Sequence, residues 1–198
     1  MDTIALFPLS TVLLPGGRMR LQIFEPRYLD LVSRCLKGEQ QGFGVVWLRQ
    51  GKEVYKQETD ADNRLSQVGT MARIVDWDSL PNGLLGITIE GDKKFRLVSS
   101  FQQPDHLNMA EVEWVAAEPQ IALPEQSDEL TALLSQLLQH PHLARMELSA
   151  EVADVSTLSF LLTQLLPFPE ETKFQLLAMS DPVARLQCVT ELLDEFSQ

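Results

Sequence analysis

The amino-acid sequence predicts an α+β protein, in which a β-rich half with one inserted helix precedes a helical half. In the first half, apolar and polar residues alternate in short segments separated by glycine, proline and asparagine, as is typical of strands and turns. From Ser127 onwards, apolar residues recur with the period of a helix. We therefore expect a partly closed β-barrel with an inserted helix, followed by a subdomain resembling a four-helix bundle.

The distribution of charge also divides the chain into two parts. Residues 1–103 carry 13 Lys and Arg and 12 Asp and Glu, whereas residues 104–198 carry 3 and 16. Such an asymmetry indicates two structural units with different surfaces. We predict a β-rich domain at 1–118 and a helical subdomain at 119–198, joined by a proline-containing linker at about 116–126.

The N-terminal region predicts two strands, a tight turn and a helix. A first strand is expected at 3–7 and ends at Pro8, because proline has no N–H to donate to a neighbouring strand. A turn follows at 15–17, since proline fixes one φ angle and glycine accepts positive ones. A strand around 21–23 then leads into a helix with Pro26 in its first turn. The apolar stripe of this helix comprises Tyr28, Leu29, Leu31, Val32, Cys35 and Leu36.

The rest of the β-rich half contains further strands and two turn signals. The strands are predicted at 42–48, 68–75, 85–89, 95–97 and 110–114. The segment 80–83 reads Leu-Pro-Asn-Gly, which predicts a hairpin between the strands on either side. Gly91 and Asp92 predict a second turn.

Four helices are predicted in the second half. Ser127 is expected to cap the first, which ends at His140 and Pro141. The other three are predicted at 155–166, at 170–179 and after the Asp181 and Pro182 pair.

Several motifs resemble one known family. Residues 6–28 read LFPLSTVLLPGGRMRLQIFEPRY, which is similar to the opening signature of the Lon protease N-terminal domain family. Later segments that resemble the family are 68–72, 80–83, 95–97, 165–168, 173–177, Asp181, Arg185 and Leu186. The resemblance therefore covers nearly the whole chain. It implies a PUA-like β-barrel followed by helices, and a substrate-binding role in a stand-alone bacterial-type member without the ATPase and peptidase modules.

No motif in the chain predicts catalysis, and we expect neither a cofactor nor a metal. Gly86 and Gly91 have the spacing of a phosphate-binding loop, but Asp92 stands where that loop needs lysine. The nucleophile elbow of serine hydrolases, G-x-S-x-G, does not occur. His140 and His142 lack the further ligands that a metal site requires. We therefore predict a protein that is not an enzyme.

Composition indicates the compartment and excludes some partners. No apolar run approaches the roughly 20 residues that a membrane helix needs, so we expect no membrane association. The net charge of -12 argues against nucleic acid as a partner. Cys35 and Cys188 both fall in helical apolar patterns, which favours reduced thiols and a cytoplasmic location.

Five residues are candidates for contact with a peptide or ligand. Trp77 lies beside a turn between two aspartates, and Phe168 lies between two prolines, so both are expected to be exposed anchors. The alternative for each is that it fills a seam between the two domains. Arg27, Tyr28 and Trp47 complete the set. For Arg27 and Tyr28 the alternative is structural, namely that they attach the inserted helix to the sheet.

The leading functional hypothesis is a non-catalytic module that binds unfolded or tagged polypeptide. The resemblance motivates it, and strand addition at an open sheet edge, beside an apolar groove, provides a physical route. Such a module would act as an adaptor or regulator of a separate ATP-dependent protease. The alternative is a small-ligand sensor with a pocket in the PUA-like barrel.

Overall fold

The computed structural model describes residues 1–49, 65–144, 146–148 and 152–196. The β elements and the inserted helix are β1 (Asp2–Leu9), β2 (Arg18–Ile23), α1 (Pro26–Leu36), β3 (Phe43–Leu48), β4 (Leu65–Ser79), β5 (Leu85–Gln102) and β6 (Asn108–Trp114). A 3-10 helix (Glu125–Ser127) precedes α2 (Asp128–Leu138), α3 (Pro141–Ala144), α4 (Val155–Leu165), α5 (Glu170–Ala178) and α6 (Pro182–Phe196). The mixed α+β class, the inserted helix and four longer C-terminal helices are thereby confirmed.

Contacts divide the chain into two units. The β unit comprises Met1–Leu13 and Arg18–Ala116, and the helical unit comprises Leu14–Gly17 and Ala117–Gln198. The loop at Leu14–Gly17 thus belongs to the helical unit although it lies early in the sequence. That 1–118 and 119–198 are separate domains stays a prediction.

The six strands form one sheet in the order β2-β5-β4-β3-β1-β6, and β6 also pairs with β5. Only β1 and β3 run parallel to each other, and the other pairs are antiparallel. The additional β5–β6 pairing closes five strands into a ring, while β2 extends the sheet beside β5. The expected partly closed barrel is therefore corrected to a six-stranded sheet bent into a ring.

The predicted turn at Gly91 and Asp92 is wrong, because β5 continues through both residues as one strand of 18 residues. Its register with β4 shifts there, since Ala72 pairs with Gly91 whereas Thr70 pairs with Lys94. Such a bulge bends a strand without ending it. The first part of β5 consequently pairs with β2 and the later part with β6.

Pro8 does not end the first strand, which continues to Leu9. Pairing with β6 covers Asp2 to Ala5, whereas Leu6 to Leu9 pair only with β3. Pro8 therefore lies where β1 has one partner strand, and its missing N–H can face the unpaired side.

Both predicted turns with glycine at a positive φ angle are confirmed. Gly83 has a φ of 80° and its N–H donates to the Leu80 carbonyl at 2.9 Å, which closes the hairpin between β4 and β5. Gly16 has a φ of 73°, and the Gly17 N–H donates to the Leu14 carbonyl at 3.0 Å. Proline before a glycine of positive φ is typical of a type II turn.

This early turn packs against α4 within the helical unit. The Leu14 N–H donates to Oε1 of Gln164 at 2.8 Å. A Cβ atom added to Gly17 would lie 2.5 Å from the same Oε1 atom. Glycine at position 17 therefore allows a close approach to α4, a contact that the sequence did not indicate.

Both faces of the β unit sheet carry a hydrophobic cluster. Along β1, Ala5 and Phe7 belong to one cluster, whereas Ile4 and Leu6 belong to the other. This alternation follows from the two-residue period of a strand. The first cluster also contains the buried face of α1, with Tyr28, Leu31 and Val32.

Phe95 is fully buried in the second cluster and packs against two glycines. A Cβ atom added to Gly44 would lie 2.7 Å from the Phe95 ring and 2.7 Å from the Ile4 side chain. One added to Gly69 would lie 2.5 Å from the ring and 2.6 Å from the backbone oxygen of Val45. Both glycines are therefore needed to accommodate the phenylalanine.

The helical unit is organised around its own apolar cluster and one buried arginine. Its buried core residues include Leu134, Val155, Leu158, Leu162, Leu176 and Val189. Arg185 of α6 is 0% exposed, and its Nε atom donates to Ser159 Oγ at 2.9 Å. Both of its terminal nitrogens bind the carboxylate of Glu118, and its guanidinium carbon lies 3.6 Å from the centre of the Phe160 ring.

All five N–H donors of Arg185 have acceptors. Besides Glu118 and Ser159, Nη1 donates to the Met179 carbonyl at 3.2 Å and Nη2 to Ser156 Oγ at 3.3 Å. A buried ion pair is stable only when its remaining donors are also satisfied. Arg185 thus joins α6, α4, the end of α5 and the segment that precedes the helices.

The caps of these helices were predicted in part. Ser127 makes no side-chain cap bond, because the 3-10 helix continues directly into α2 and leaves Ser127 in a helical conformation. Asp181 does cap α6, accepting from the Val183 N–H at 2.9 Å. An additional cap comes from Asp154, whose carboxylate accepts from both the N–H and the hydroxyl of Thr157 at the start of α4.

The packing of Gly44 and Gly69 against Phe95 predicts that a smaller residue at position 95 restores stability to one glycine variant but not to the other. We expect Gly44→Ala and Gly69→Ala each to lower the free energy of unfolding by about 1–3 kcal/mol through overpacking. Phe95→Leu should reduce the loss caused by Gly44→Ala, because the atoms nearest to that Cβ belong to side chains. It should not rescue Gly69→Ala, since the Val45 backbone oxygen remains. Urea unfolding of the single and double variants tests this, and equal rescue of both would contradict it.

A second prediction concerns the ion pair between Arg185 and Glu118. Removing either partner leaves a buried charge unpaired, so Glu118→Ala or Arg185→Ala should cost about 3–5 kcal/mol of unfolding free energy. The double variant should lose less than the sum of the two. Glu171→Ala, at an exposed position on α5, is the control and should change stability by less than about 0.5 kcal/mol. Additive losses in urea unfolding would show that the pair is not coupled.

Candidate functional site

Three strand segments form a section of the β unit sheet that the ring leaves open. β2 pairs with residues 85–90 of β5, and these pair in turn with residues 73–79 of β4. Among the described residues, no strand pairs with the outer side of β2 or with the outer side of 73–79. This section therefore has two edges at which an additional strand could bind.

One face of this three-stranded section is apolar. Leu21 pairs with Ile87, which pairs with Trp77, so the three side chains form one row across the strands. Ile87 is buried and Leu21 is partly buried, whereas Trp77 is 58% exposed. The row thus runs from the core to the solvent and ends in an aromatic side chain beside the open edge of β4.

The opposite face carries a network of ion pairs that joins the three strands. Glu90 of β5 binds Arg18 of β2, with 2.6 Å between Nε and the carboxylate, and also binds Arg73 of β4. Burial alone would raise the pKa of Glu90, but hydrogen bonds from Arg73 and Arg18 and their charges outweigh it and hold the pKa below its ordinary value. One carboxylate therefore holds both neighbouring strands.

A second ion pair spans the same three strands near Trp77. Arg20 of β2 binds Asp78 of β4, although β5 lies between the two strands. The Asp78 side chain passes over Gly86, where an added Cβ would collide with its carboxylate. Glycine at position 86 is thus required for this bridge.

Asp76 modifies the open edge of β4. Its Oδ1 atom accepts a hydrogen bond of 2.8 Å from the Trp77 backbone N–H. Charged side chains at a sheet edge hinder uncontrolled pairing with other chains. The edge beside Trp77 is therefore open but protected, and an incoming strand would have to displace the Asp76 carboxylate from that donor.

Arg27 and Tyr28 lie together, but in the core. Arg27 binds Glu25 with 2.6 Å between Nη2 and the carboxylate, and its Nη1 donates to the His106 carbonyl at 2.8 Å. Tyr28 stacks on Phe7 with 4.0 Å between ring centres. These contacts agree with the structural alternative, in which both residues attach α1 to the sheet.

Of the other three candidates, Trp47 and Phe168 are buried and Trp77 is exposed. Trp47 is buried and its backbone N–H donates to Ser66 Oγ at 2.9 Å. The expectation that Phe168 is exposed is wrong, because it is only 4% exposed and belongs to the core of the helical unit. The flanking Pro167 and Pro169 are exposed instead, so the chain directs the phenylalanine inward. Trp77 alone among the five candidates is largely exposed.

Sequence reasoning missed Phe24, which is 63% exposed directly after β2. A signal for it exists in the sequence. The alternation of β2 breaks at Ile23 and Phe24, where two apolar residues follow each other, and only one of them can face the core. Ile23 is buried.

Clustered metal ligands and the Cys35 thiol are the other groups at which chemistry could take place. Within the described ranges, no cluster of three or more His, Cys, Asp or Glu has the arrangement of a metal site. His140 is exposed, and the side chain of His142 lies outside the described residues. Burial raises the pKa of the Cys35 thiol, although the charge of Arg34 partly opposes this. A thiol of raised pKa is a weak nucleophile at neutral pH.

The fold and this site define an α+β domain with a ringed sheet, an open apolar edge and a helical C-terminal unit. The chain belongs to the family described as the ATP-dependent protease La (LON) substrate-binding domain, which matches residues 3–195. The resemblance seen in the sequence is thereby confirmed. In the part of the chain that is described, no helix has the length and apolar character needed to cross a bilayer.

Similar proteins include solved Lon N-terminal domains and Lon proteases. A Lon N-terminal domain protein from Xanthomonas campestris is 28% identical with a TM-score of 0.73, over 96% of this chain and 98% of that one. The N-terminal domain of a Mycobacterium avium complex Lon protease shares the fold, at 16% identity with a TM-score of 0.61, over 96% and 97% of the two chains.

The full proteases are matched only in part. A Lon protease of Anaeromyxobacter dehalogenans (strain 2CP-C) is 25% identical over 93% of this chain, which covers 22% of that protein. Lon protease 1 of Hydrogenovibrio crunogenus (strain DSM 25203 / XCL-2) is 26% identical over 57% of this chain and 13% of its own length. The chain thus spans about a fifth or less of the curated relatives it matches.

The Glu90 network predicts a specific dependence on pH. A carboxyl whose pKa is lowered by folding stabilises the protein above its unfolded pKa of about 4.3 and loses this contribution as the pH falls through the lower folded pKa. Glu90→Gln should therefore destabilise most above that pH, and its difference from the native protein should shrink in more acidic solution. Chemical unfolding across this pH range measures the difference.

The matched control for this measurement is Glu39→Gln, at an exposed position outside the network. We expect that control to change stability little at any pH. A loss in Glu90→Gln that stays constant as the pH falls would show that the ionised carboxylate does not join the three strands.

Proposed function

We propose that this chain is a non-catalytic module that binds unfolded or tagged polypeptide at the open edge of β4, with Trp77 as the apolar anchor. The observation that carries the proposal is the row from Leu21 through Ile87 to the exposed Trp77, beside residues 73–79. The family's description as a substrate-binding domain supports the same class of ligand.

The edge suits an extended segment for physical reasons. A peptide that adds to a sheet gains affinity from main-chain hydrogen bonds, which do not depend on its sequence. Alternate side chains of that peptide would face the apolar side of the sheet, where Trp77 offers a large contact surface. A folded protein has few free backbone groups to offer, so the edge would discriminate in favour of unfolded chains.

The charged residues around the edge would shape the preference. Asp76 and Asp78 flank Trp77, and Asp78 is already paired with Arg20. An acidic segment would meet the Asp76 carboxylate, whereas a neutral or basic segment would not be repelled. We therefore expect apolar segments with basic rather than acidic neighbours to bind best.

The chain would act as an adaptor or regulator of a separate ATP-dependent protease, since the relatives it matches include such proteases. We place it in the cytoplasm, where the two cysteines would remain reduced. The sheet would be a variant of the PUA-like fold.

The decisive experiment compares one protein in two states. The expected result is saturable binding of a labelled, permanently unfolded protein, measured by fluorescence anisotropy, and no binding of the same protein when folded. Binding of neither form would contradict the proposal and favour the alternative, a small-ligand sensor.

Trp77→Ala should weaken binding of the unfolded probe by at least about 1 kcal/mol, or roughly fivefold in Kd, as the loss of an aromatic anchor does. Phe101→Ala is the matched control, because Phe101 is an exposed aromatic residue at the far end of β5. It should leave Kd unchanged. Equal effects of the two substitutions would mean that binding is unspecific.

A backbone test separates strand addition from simple apolar contact. A peptide that binds should lose affinity when alternate amide nitrogens are methylated along one edge, because methylation removes the donors that would pair with 73–79. Methylation along the other edge should have a smaller effect. Equal affinity of all three peptides would exclude strand addition.

A further inference from the structure

A groove of about 300 Å³ lies between α5 and α6 within the helical unit. Its apolar lining comprises Leu176, Met179, Cys188 and Leu192. Leu176 is buried and the other three are half-buried, so they form the inner part of the groove. Glu191 and Glu195 also line it but are exposed, so they form an acidic rim.

The charge of the helical unit makes this rim strongly favourable for cations. Lys173 and Arg185 are the two Lys or Arg residues among the described residues of the unit, and both are buried. Their charges are engaged internally, since Arg185 binds Glu118 and Lys173 donates to the Gln164 carbonyl at 3.1 Å. Few positive charges are thus available at the described surface to neutralise the acidic side chains.

The position of the rim on α6 adds to this effect. Glu191 and Glu195 are four residues apart, so they lie on the same side of the helix. Glu195 lies in the last turn of α6, where the helix dipole contributes further negative potential, and Glu191 lies one turn before it. Two carboxylates and a helix C-terminus therefore act together beside an apolar surface.

We propose that this groove binds a cationic amphipathic helix of a partner protein. The lining runs from Thr172 on α5 to Met179 directly after it, and from Cys188 to Glu195 on α6. Seven residue steps correspond to about 10 Å, or two turns of a helix. An amphipathic helix would place one or two apolar side chains against Leu176, Met179 and Leu192, and its Lys or Arg side chains against the rim. Methionine suits such a surface because its flexible side chain adapts to different partners.

This site is independent of the proposed function at Trp77, because the groove and the β4 edge share no residue. The two sites would let one chain hold a polypeptide at the sheet and a partner at the helical unit. Their experimental signatures are distinguishable, since each has its own variants and its own probe.

The experiment uses Cys188 as a reporter within the groove. The probe is a synthetic amphipathic helix of about 15 residues with a leucine stripe flanked by lysines. Alkylation of Cys188 by neutral iodoacetamide is followed by mass spectrometry, with Cys35 as the internal reference. Bound peptide should slow alkylation of Cys188 about tenfold at ten times its Kd, and leave Cys35 unchanged.

Two controls test the role of charge. A peptide with glutamates in place of the lysines should give no protection, and Glu191→Gln/Glu195→Gln should weaken binding of the cationic peptide about fivefold or more. Glutamine preserves size and the hydrogen bond between Gln187 and position 191. Raising the ionic strength from about 0.05 M to about 0.5 M should also weaken binding, since salt screens exposed charges.

The outcomes separate the two proposals. Trp77→Ala should retain the protection of Cys188, and the double glutamine variant should retain binding of the unfolded probe. Absent protection, equal protection by the acidic peptide, or full protection in the double variant would each overturn the groove proposal. Loss of protection in Trp77→Ala would also overturn it, because the peptide would then be binding at the sheet.

Discussion

The β unit depends on one constraint, which is that β5 must pair with three other strands. β4 occupies one edge of β5 on both sides of the register shift between Gly91 and Lys94, which bends the strand. β2 and β6 therefore share the opposite edge, each along a different part of it. The part before the bend pairs with β2, and the part after it pairs with β6 and closes the ring. The open section that carries Trp77 exists because the ring uses only the later part of β5 on that side.

The two faces of this open section have complementary roles. Glu90 joins β2 and β4 to β5 on the polar face, so the strands keep their register without a neighbour on the outer side. The apolar face then presents Trp77 at a defined position. Asp76 reduces the risk of unspecific pairing by occupying the Trp77 N–H. The same side chains thus keep the edge accessible and protect it from unspecific pairing.

In the helical unit, by contrast, one buried ion pair between Arg185 and Glu118 connects several helices. Arg185 donates hydrogen bonds to α4, to the end of α5 and to Glu118. Its positive charge is therefore neutralised inside the unit and does not reach the surface. Because Lys173 is buried as well, neither of these two cations lies at the described surface to offset its acidic side chains. The acidic rim at Glu191 and Glu195 therefore depends on how the unit is stabilised, because both of these cations are used in its interior.

The sequence by itself determined the order and type of most elements, the turns at Gly16 and Gly83 and the family, because periodicity and φ requirements are local properties. Only the tertiary structure decided that β5 continues through Gly91, that Phe168 is buried, and that every donor of Arg185 has an acceptor. Each of these outcomes depends on partners distant in the sequence. Burial and strand pairing are properties of the assembled chain, and no short stretch of residues encodes them.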